Sequence, residues 1–417
     1  MSDVRNGGHT VEPGEPPRAN PAGKPARSAL LGAMFLMATA AIGPGFITQT
    51  TVFTASLGAA FAFAILISIV VDIAVQMNVW RVLGVSGLRA QELGNKILPG
   101  VGWVLAALIA FGGLIFNVGN VAGGGLGLNA LLGVDAKVGG AITAAVAIAI
   151  FLVRRAGVAL DRIVVVLGLV MILLTCYTAI VSKPPLAEAL RQTVFPAEID
   201  FLAITTLIGG TVGGYITYAG AHRLIDSGTT GVQNIRQISG ASVTGIIVTG
   251  IMRVLLFLAV LGVVVGGVTL AAENPAATAF QAAAGELGLR LFDAVLWAAA
   301  ITSVIGASYT SVSFLSARLR GEGRRRGLIT CGFIVVSTGI FLLINQAPPT
   351  LLILAGALNG LVLPIGFTVI LWAAWFRRDL LGGYRYPRWL LIAGVAGWAI
   401  SLFLGWMALG SLGKLWS

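Results

Sequence analysis

Long apolar runs recur from one end of this chain to the other, and they constrain its fold more than any other feature. A run of about 18 or more apolar residues is long enough to cross the ~30 Å hydrocarbon core of a bilayer as a helix. The runs are continuous and do not alternate with a period of two, which argues against a transmembrane β-barrel. With 57% hydrophobic and 10% charged residues, the chain is predicted to be an all-α integral membrane protein.

The apolar runs predict eleven transmembrane helices, which we call spans 1 to 11. Residues 1–28 precede them, carry Pro, Gly and charge without apolar periodicity, and are predicted to form a disordered cytoplasmic tail. The spans are predicted at roughly 29–57, 59–80, 100–131, 138–153, 160–181, 200–219, 238–268, 288–315, 328–345, 349–376 and 389–412.

The basic residues are concentrated in alternate connections between the spans. A formal net charge of +11 is typical of nucleic-acid-binding proteins as well as membrane proteins. Most of the 27 Lys and Arg residues, however, lie in the tail and in the segments that follow even-numbered spans. This positive-inside pattern argues against a nucleic-acid partner. It predicts a multi-pass protein of the inner (plasma) membrane with a cytoplasmic N-terminus and an external C-terminus.

Two spans carry sequences that interrupt a helix. Span 1 contains Gly43-Pro44-Gly45-Phe46, and span 6 contains Gly209 to Tyr215, in which four of seven residues are glycine. Proline inside a helix removes a hydrogen bond and clashes with the preceding turn, so a simple kink is one interpretation. Freed backbone groups at membrane depth are otherwise tolerated where they line a protein cavity. A pair of such breaks favours a secondary transporter with its substrate between them.

The spacing of the breaks also predicts an internal repeat. Five spans separate span 1 from span 6, and an odd number of crossings inverts the second unit relative to the first. Residues 29–181 and 200–376 are therefore predicted to form a LeuT-like five-plus-five inverted repeat, each half opening with a broken helix. Span 11, at 389–412, lies outside the repeat.

Four local patterns resemble motifs of the Nramp family of divalent metal transporters, in the family's order and spacing. The resemblance covers most of the chain and implies a membrane transporter, not an enzyme, with no cofactor. The matching segments are Gly43–Phe46 with Leu57-Gly58-Ala59, Gly124–Leu132, Gly209–Val212 with Tyr218, and Leu351–Leu354 with Leu363-Pro364.

The positions that bind metal in the family differ here. The family's span-1 Asp and Asn correspond to Gly43 and Phe46, its span-6 Met to Gly213, and its span-10 Gln to Gly356. A dehydrated divalent cation needs several oxygen, nitrogen or sulfur ligands and compensating negative charge. Because these side chains are missing, the sequence predicts an enlarged cavity for a small organic carboxylate or amino-acid-like solute. A divalent metal (of the Mn, Mg or Fe type) held at an atypical site is the alternative.

The predicted substrate site combines the two breaks with polar residues of spans 3 and 10. Asn117 and Asn120 correspond to acids of the family's proton route, and Tyr215 to its span-6 His. An amide cannot carry a proton at neutral pH, so this route is altered. The full predicted set is Gly43, Gly45, Phe46, Gln49, Thr50, Gly210, Thr211, Gly213, Gly214, Tyr215, Asn117, Asn120, Gly356 and Asn359.

Charged and hydroxyl residues within spans suggest how transport is coupled. Arg253 lies well inside span 7, where an arginine usually faces a cavity or a partner, and it is predicted to bind an anion or to gate. Asp72 in span 2 is a candidate for the coupling ion, as are Ser303 and Ser308 in span 8. A structural role is the alternative for each of the four, and the coupling ion is either Na⁺ or H⁺.

Overall fold

The computed structural model describes residues 43–315 and 323–416, and every regular element in those ranges is a helix. The predicted tail, the first part of span 1 (29–42) and residues 316–322 lie outside the described residues. The helices are α1 (Pro44–Leu57), α2 (Phe61–Ser86), α3 (Ala90–Ile97), α4 (Val101–Leu132), α5 (Ala136–Leu152), α6 (Arg154–Val181), α7 (Leu186–Val194), α8 (Phe201–Thr211), α9 (Ile216–Asp226), α10 (Ile235–Val265), α11 (Pro275–Leu315), α12 (Gly323–Leu343), α13 (Pro348–Phe376) and α14 (Arg388–Trp416).

Several of these helices are long and apolar enough to cross a membrane. Eight described segments qualify, or nine if α6 and α7, which meet at an angle of 105°, form one span. One of the eight segments, Pro44–Ser86, is 43 residues long. At about 1.5 Å per residue it is about twice as long as the hydrocarbon core is thick. The protein is therefore a multi-pass membrane protein, and the count of eleven spans stays a prediction.

The connection between predicted spans 5 and 6 contains a helix that the apolar-run pattern did not show. Leu186, Leu190 and Val194 project from one side of α7 and are exposed, whereas Ala189 and Gln192 are buried. The spacing of four residues places the exposed apolar side chains on one stripe of the helix. A short amphipathic helix of this kind suits the membrane interface, and its apolar residues are too dispersed to register as a continuous run.

Glycines bring α8 and α13 into close contact. A Cβ atom added at Gly209 would overlap the carbonyl oxygen of Gly356 and the amide nitrogen of Gly360. A Cβ atom at Gly360 would overlap the carbonyl oxygen of Thr205. Small residues at such crossings let two helix backbones approach, which is how membrane helices pack without a hydrophobic driving force. This contact fixes the first half of span 6 against span 10.

A buried tryptophan fixes the second half of span 6. Trp80 on α2 is fully buried, and its indole nitrogen donates a hydrogen bond of 2.9 Å to the carbonyl oxygen of Thr217. Thr217 lies in the first turn of α9. A buried indole N–H normally requires such a partner, so this bond orients α9 against α2. The two halves of span 6 are thus held by different neighbours on either side of its break.

Candidate substrate site at the two helix breaks

The predicted first break coincides with the start of α1, and the part of span 1 before it (29–42) lies outside the described residues. Gly43 is the N-terminal cap, in an extended conformation (φ −89°, ψ −174°), and Pro44 is the first helical residue. Proline is tolerated there because the N–H that it lacks has no helical partner in the first turn. The first turn has no side-chain cap, and residues 43–51 are all buried. A Cβ atom at Gly123 would overlap the ring of Pro44, so α4 passes directly beside this helix end.

The second break is a tight, non-helical turn between α8 and α9. The carbonyl oxygen of Ile208 accepts hydrogen bonds from the N–H groups of Val212 (2.9 Å) and Gly213 (3.1 Å). Gly214 follows with φ +53°, in the left-handed region that favours glycine. Gly209 and Gly210 remain helical, so the interruption is shorter than the predicted stretch from Gly209 to Tyr215.

The side chain of Gln49 lies between the two breaks. Its amide nitrogen donates to the carbonyl oxygen of Leu352 at 2.9 Å, while its amide oxygen has no hydrogen-bond partner. A Cβ atom at Gly210 would lie 2.7 Å from this oxygen, and one at Gly356 would lie 2.5 Å from the amide nitrogen. The buried amide of Gln49 in span 1 therefore lies against two other predicted site residues, Gly210 of span 6 and Gly356 of span 10.

The glycines do not produce the enlarged cavity that the sequence predicted. Gln49 occupies the space beside Gly356. At Gly213, a Cβ atom would lie 2.5 Å from the Cα atom of Gly209 and 2.8 Å from the carbonyl oxygen of Asn359. The volume released by the small residues is thus used for a neighbouring side chain and for close backbone packing. Every predicted site residue is buried, so the structure shows the site closed.

Arg253 of α10 joins the two breaks and is 1% exposed. Its Nη1 donates a hydrogen bond of 3.0 Å to the hydroxyl of Thr211, the last residue of α8. Its guanidinium carbon lies 4.6 Å from the ring centroid of Phe46, in the first turn of α1, a cation–π contact. Its Nε and Nη2 have no hydrogen-bond partner. These two nitrogens share one edge of the guanidinium, which therefore presents an open pair of donors.

Asp72 of α2 lies near this arginine and is also 1% exposed. Neither carboxylate oxygen has a hydrogen-bond partner. Its polar surroundings among the described residues are the Arg253 guanidinium and the Thr211 hydroxyl. The two intramembrane charges that the sequence singled out separately thus act on one another beside the break in span 6.

Asn359 and Tyr215 line the other side of that break. The amide nitrogen of Asn359 donates to the carbonyl oxygens of Gly112 (3.1 Å) and Ala355 (2.8 Å). Its amide oxygen has no partner and lies where a side chain on Gly214 would have to go. The Tyr215 ring packs edge-on against Phe116 of α4, with 5.6 Å between centroids. Tyr215, which the resemblance matches to the family's span-6 His, is therefore packed as an aromatic ring against α4.

The two predicted asparagines of α4 have different surroundings. The amide nitrogen of Asn117 donates to the hydroxyls of Ser308 on α11 (3.0 Å) and Ser337 on α12 (2.7 Å). Asn120 is fully buried, and neither its amide oxygen nor its amide nitrogen has a partner. Asn117 therefore belongs to a hydroxyl cluster between α4, α11 and α12. Of the candidate coupling residues, the structure places Ser308 in this cluster and Asp72 beside Arg253, while Ser303 is a buried residue of α11.

Some polar residues near the site were not included in the prediction. Ser311 is fully buried without a hydrogen-bond partner, next to Gly113, and Ser337 accepts from Asn117. Asp293 of α11, which lies near Arg290 and away from these serines, is a second buried carboxylate without a hydrogen-bond partner. The three-residue spacing of Ser308 and Ser311 places both on one helix face, a signal that could have identified Ser311. Conversely, the predicted Thr50 donates its hydroxyl hydrogen to the carbonyl of Phe46 in its own helix (2.8 Å).

Comparison with known families identifies the scaffold. A family model described as natural resistance-associated macrophage protein-like matches residues 34–411. The chain belongs to the Nramp family. It is 50% identical over 392 residues to an uncharacterized membrane protein of Bacillus subtilis, YcsG, covering 94% of this chain and 96% of that one. An uncharacterized membrane protein of Haemophilus influenzae is 50% identical over 368 residues, covering 88% and 92%.

Solved structures show the fold of this Nramp-family protein. A crystal structure of a manganese transporter from Eremococcus coleocola matches with a TM-score of 0.71 at 17% identity, covering 94% of this chain and 89% of that one. MhsT in complex with L-phenylalanine matches with a TM-score of 0.66 at 16% identity, covering 92% and 98%. The fold is LeuT-like, as predicted.

Proposed function

We propose that this Nramp-family protein is a secondary transporter that carries a small organic carboxylate or amino-acid-like solute by alternating access. The observation that carries the proposal is the buried Arg253, which contacts the first turn of α1 and the last residue of α8 and keeps two donors open. The Nε and Nη2 hydrogens of an arginine match the two oxygens of a carboxylate, and such bidentate pairs are among the strongest hydrogen bonds in proteins.

Gln49 supplies a complementary acceptor. Its buried, unpartnered oxygen faces Gly210, and a buried acceptor without a donor costs about 1–3 kcal/mol. A ligand N–H group or ammonium would satisfy it. Arg253 contacts Thr211 and Gln49 lies beside the preceding residue, Gly210, so a solute with a carboxylate and a nitrogen donor suits both. This pairing favours an amino-acid-like or amide-containing carboxylate.

A divalent metal at an atypical site is the second candidate, and family membership favours it. The structure offers Asp72 and the unpartnered amide oxygens of Gln49 and Asn120 as oxygen ligands. Arg253 argues against a metal. Its positive charge already neutralises the negative charge of Asp72, which a divalent cation would need for compensation. The positions of the usual family ligands are occupied by Gly43, Phe46, Gly213 and Gly356.

The proposal includes an orientation and a working cycle. The repeats at 29–181 and 200–376 would move relative to one another, with span 11 (389–412) outside them. The N-terminus would face the cytoplasm and the C-terminus the outside of the inner membrane, as the basic residues indicate. Symport with Na⁺ or H⁺ would drive transport, and the protein would act as a transporter without catalytic chemistry.

A binding screen tests the substrate class. We would add Mn²⁺, Mg²⁺, lactate, succinate, L-alanine and L-phenylalanine separately to purified protein and follow thermal stability and calorimetric heat. Saturable stabilisation by at least one carboxylate, with no response to either metal, is the expected result. Tight Mn²⁺ binding that survives substitutions at Gly43, Gly210 and Gly213 would contradict the proposal and indicate a relocated metal site.

Substitution of Gly210 by alanine tests the role of Gln49. The three atoms nearest to the added Cβ atom all belong to the Gln49 side chain, at 2.7 to 3.5 Å, so the amide must rotate while the backbone stays in place. We expect G210A to remain folded but to bind the carboxylate about tenfold more weakly, equal to about 1.4 kcal/mol, the cost of one hydrogen bond. Calorimetric titration measures this change.

The matched control is Gly306→Ala on α11, where an added Cβ atom meets nothing within 4 Å. It should bind like the unmodified protein. Equal affinities for G210A and G306A would show that Gln49 does not contact the solute.

A further inference from the structure

Asp72 has an environment that a purely structural carboxylate would not require. It is 1% exposed and has no hydrogen bond to hold it, and Arg253 is the only charged group of the described residues that acts on it. Thr211 on α8 is its other polar neighbour, and that hydroxyl hydrogen is already donated to the carbonyl of Leu207 (2.9 Å). The side chains of Asp72 and Arg253 are therefore a loosely held charge pair in which either member can change partner.

We propose that Asp72 takes up one proton each time a monoanionic substrate carboxylate binds to Arg253, so that transport of such an anion is proton-coupled. This inference rests on the proposed function, since it assigns the substrate carboxylate to the open edge of Arg253. The proton adds to a carboxylate oxygen of Asp72, and the substrate remains an anion held by Nε and Nη2. Release of the solute returns the proton to solution and restores the Asp72–Arg253 pair. No other bond is formed or broken.

Charge balance explains why the two events are linked. In the empty site, Arg253 and an ionised Asp72 sum to zero. A bound carboxylate alone would leave a net charge of minus one at membrane depth, and a bound proton alone would leave plus one. Uncompensated charge is costly in that environment. The site is neutral only when it holds both or neither, and these are the states that can be exposed alternately at the two faces of the membrane.

The same geometry favours a proton over sodium at this position. A sodium ion beside Asp72 would lie close to the guanidinium of Arg253, which repels it, and it would need further oxygen ligands. A proton is held by the carboxylate itself and adds almost no volume to a site that is fully packed. The hydroxyl cluster of Asn117, Ser308 and Ser337 is not required for this coupling.

Calorimetric titration in buffers of different ionisation enthalpy measures the number of protons taken up on binding. The probes are lactate, a monoanion, and L-alanine, whose ammonium already balances its carboxylate, added singly to the full-length protein. We expect one proton per bound lactate for the unmodified protein and no proton uptake with L-alanine. Asp72→Asn, which mimics the protonated acid, should bind with no proton uptake and with an affinity independent of pH. Asp379→Asn is the matched control, since Asp379 is an exposed carboxylate paired with Arg377 (2.8 Å), and it should retain one proton.

The outcomes separate this inference from the proposed function. Lactate binding by the unmodified protein without proton uptake, or binding of L-alanine but not of lactate, would overturn the coupling role of Asp72 and leave the proposed function intact. Full proton uptake by Asp72→Asn would overturn it as well. If no carboxylate binds the unmodified protein, both proposals fail. Asp72→Glu, which keeps an acid at the position, should retain proton uptake, and this keeps the test decisive if the asparagine variant does not fold.

Discussion

Arg253→Gln is expected to weaken carboxylate binding by at least about 100-fold, equal to about 2.7 kcal/mol. Hydrogen bonds to charged groups are worth about 1.5–3 kcal/mol each, and the substitution removes the two donors that we assign to the substrate. It also removes the positive charge of a residue that is only 1% exposed, where water cannot replace that charge. Calorimetric titration with the carboxylate identified in the screen measures the loss.

Two variants separate this effect from general damage. Arg253→Lys keeps the charge beside Asp72 but cannot present two donors along one edge, so we expect normal stability with at least about tenfold weaker binding. Arg326→Gln removes an arginine with a comparable cation–π contact, 4.3 Å above the Tyr309 ring and away from the breaks, and it should bind normally. Undiminished binding by Arg253→Gln would refute the assignment of Arg253 to the substrate.

Gly209→Ala is expected to destabilise the fold by about 3 kcal/mol, at the upper end of the 1–3 kcal/mol typical of overpacking. The added Cβ atom would overlap backbone atoms of Gly356 and Gly360, which cannot rotate away as a side chain can. Helices α8 and α13 would therefore have to separate, and both carry residues of the candidate site. Chemical denaturation of the purified protein in mixed micelles measures the change.

The neighbouring and remote glycines provide the comparison. At Gly240 on α10, an added Cβ atom meets nothing within 4 Å, and alanine should be neutral or slightly stabilising because it favours helix. Gly210→Ala, one residue away from Gly209, should lose affinity without losing stability. If Gly209→Ala unfolds at the same denaturant concentration as Gly240→Ala, the close α8–α13 packing does not contribute to the fold.

The glycines and the polar side chains of the candidate site have different roles. Its glycines serve to bring backbones together, and its few polar side chains carry the unsatisfied hydrogen-bonding capacity. Gln49, Asn120 and Asn359 each keep an unpartnered amide oxygen, and Arg253 keeps two unpartnered nitrogens. Buried polar atoms are normally satisfied, so their concentration around two helix breaks is the physical argument that a polar solute enters there.

The sequence by itself determined the membrane fold, the break in span 6 and the family. These follow from local chemistry: the hydrophobicity of each run, the four glycines between Gly209 and Gly214, and the order of short motifs along the chain. The order of short motifs along the chain was enough to indicate the Nramp family. Each of these properties is set by neighbours in sequence, which is why it can be read before any tertiary contact is known.

Only the tertiary structure decided what fills the site and which charges meet. Gln49 and Leu352 are 303 positions apart, and Arg253 and Thr211 are 42 positions apart. The sequence suggested an enlarged cavity because it shows which side chains are small, but helix packing placed Gln49 and backbone atoms in that space. Likewise, Asp72 and Arg253 looked like separate intramembrane charges. Their pairing depends on how α2, α8 and α10 cross, which is set by the packing of whole helix surfaces and not by any local pattern.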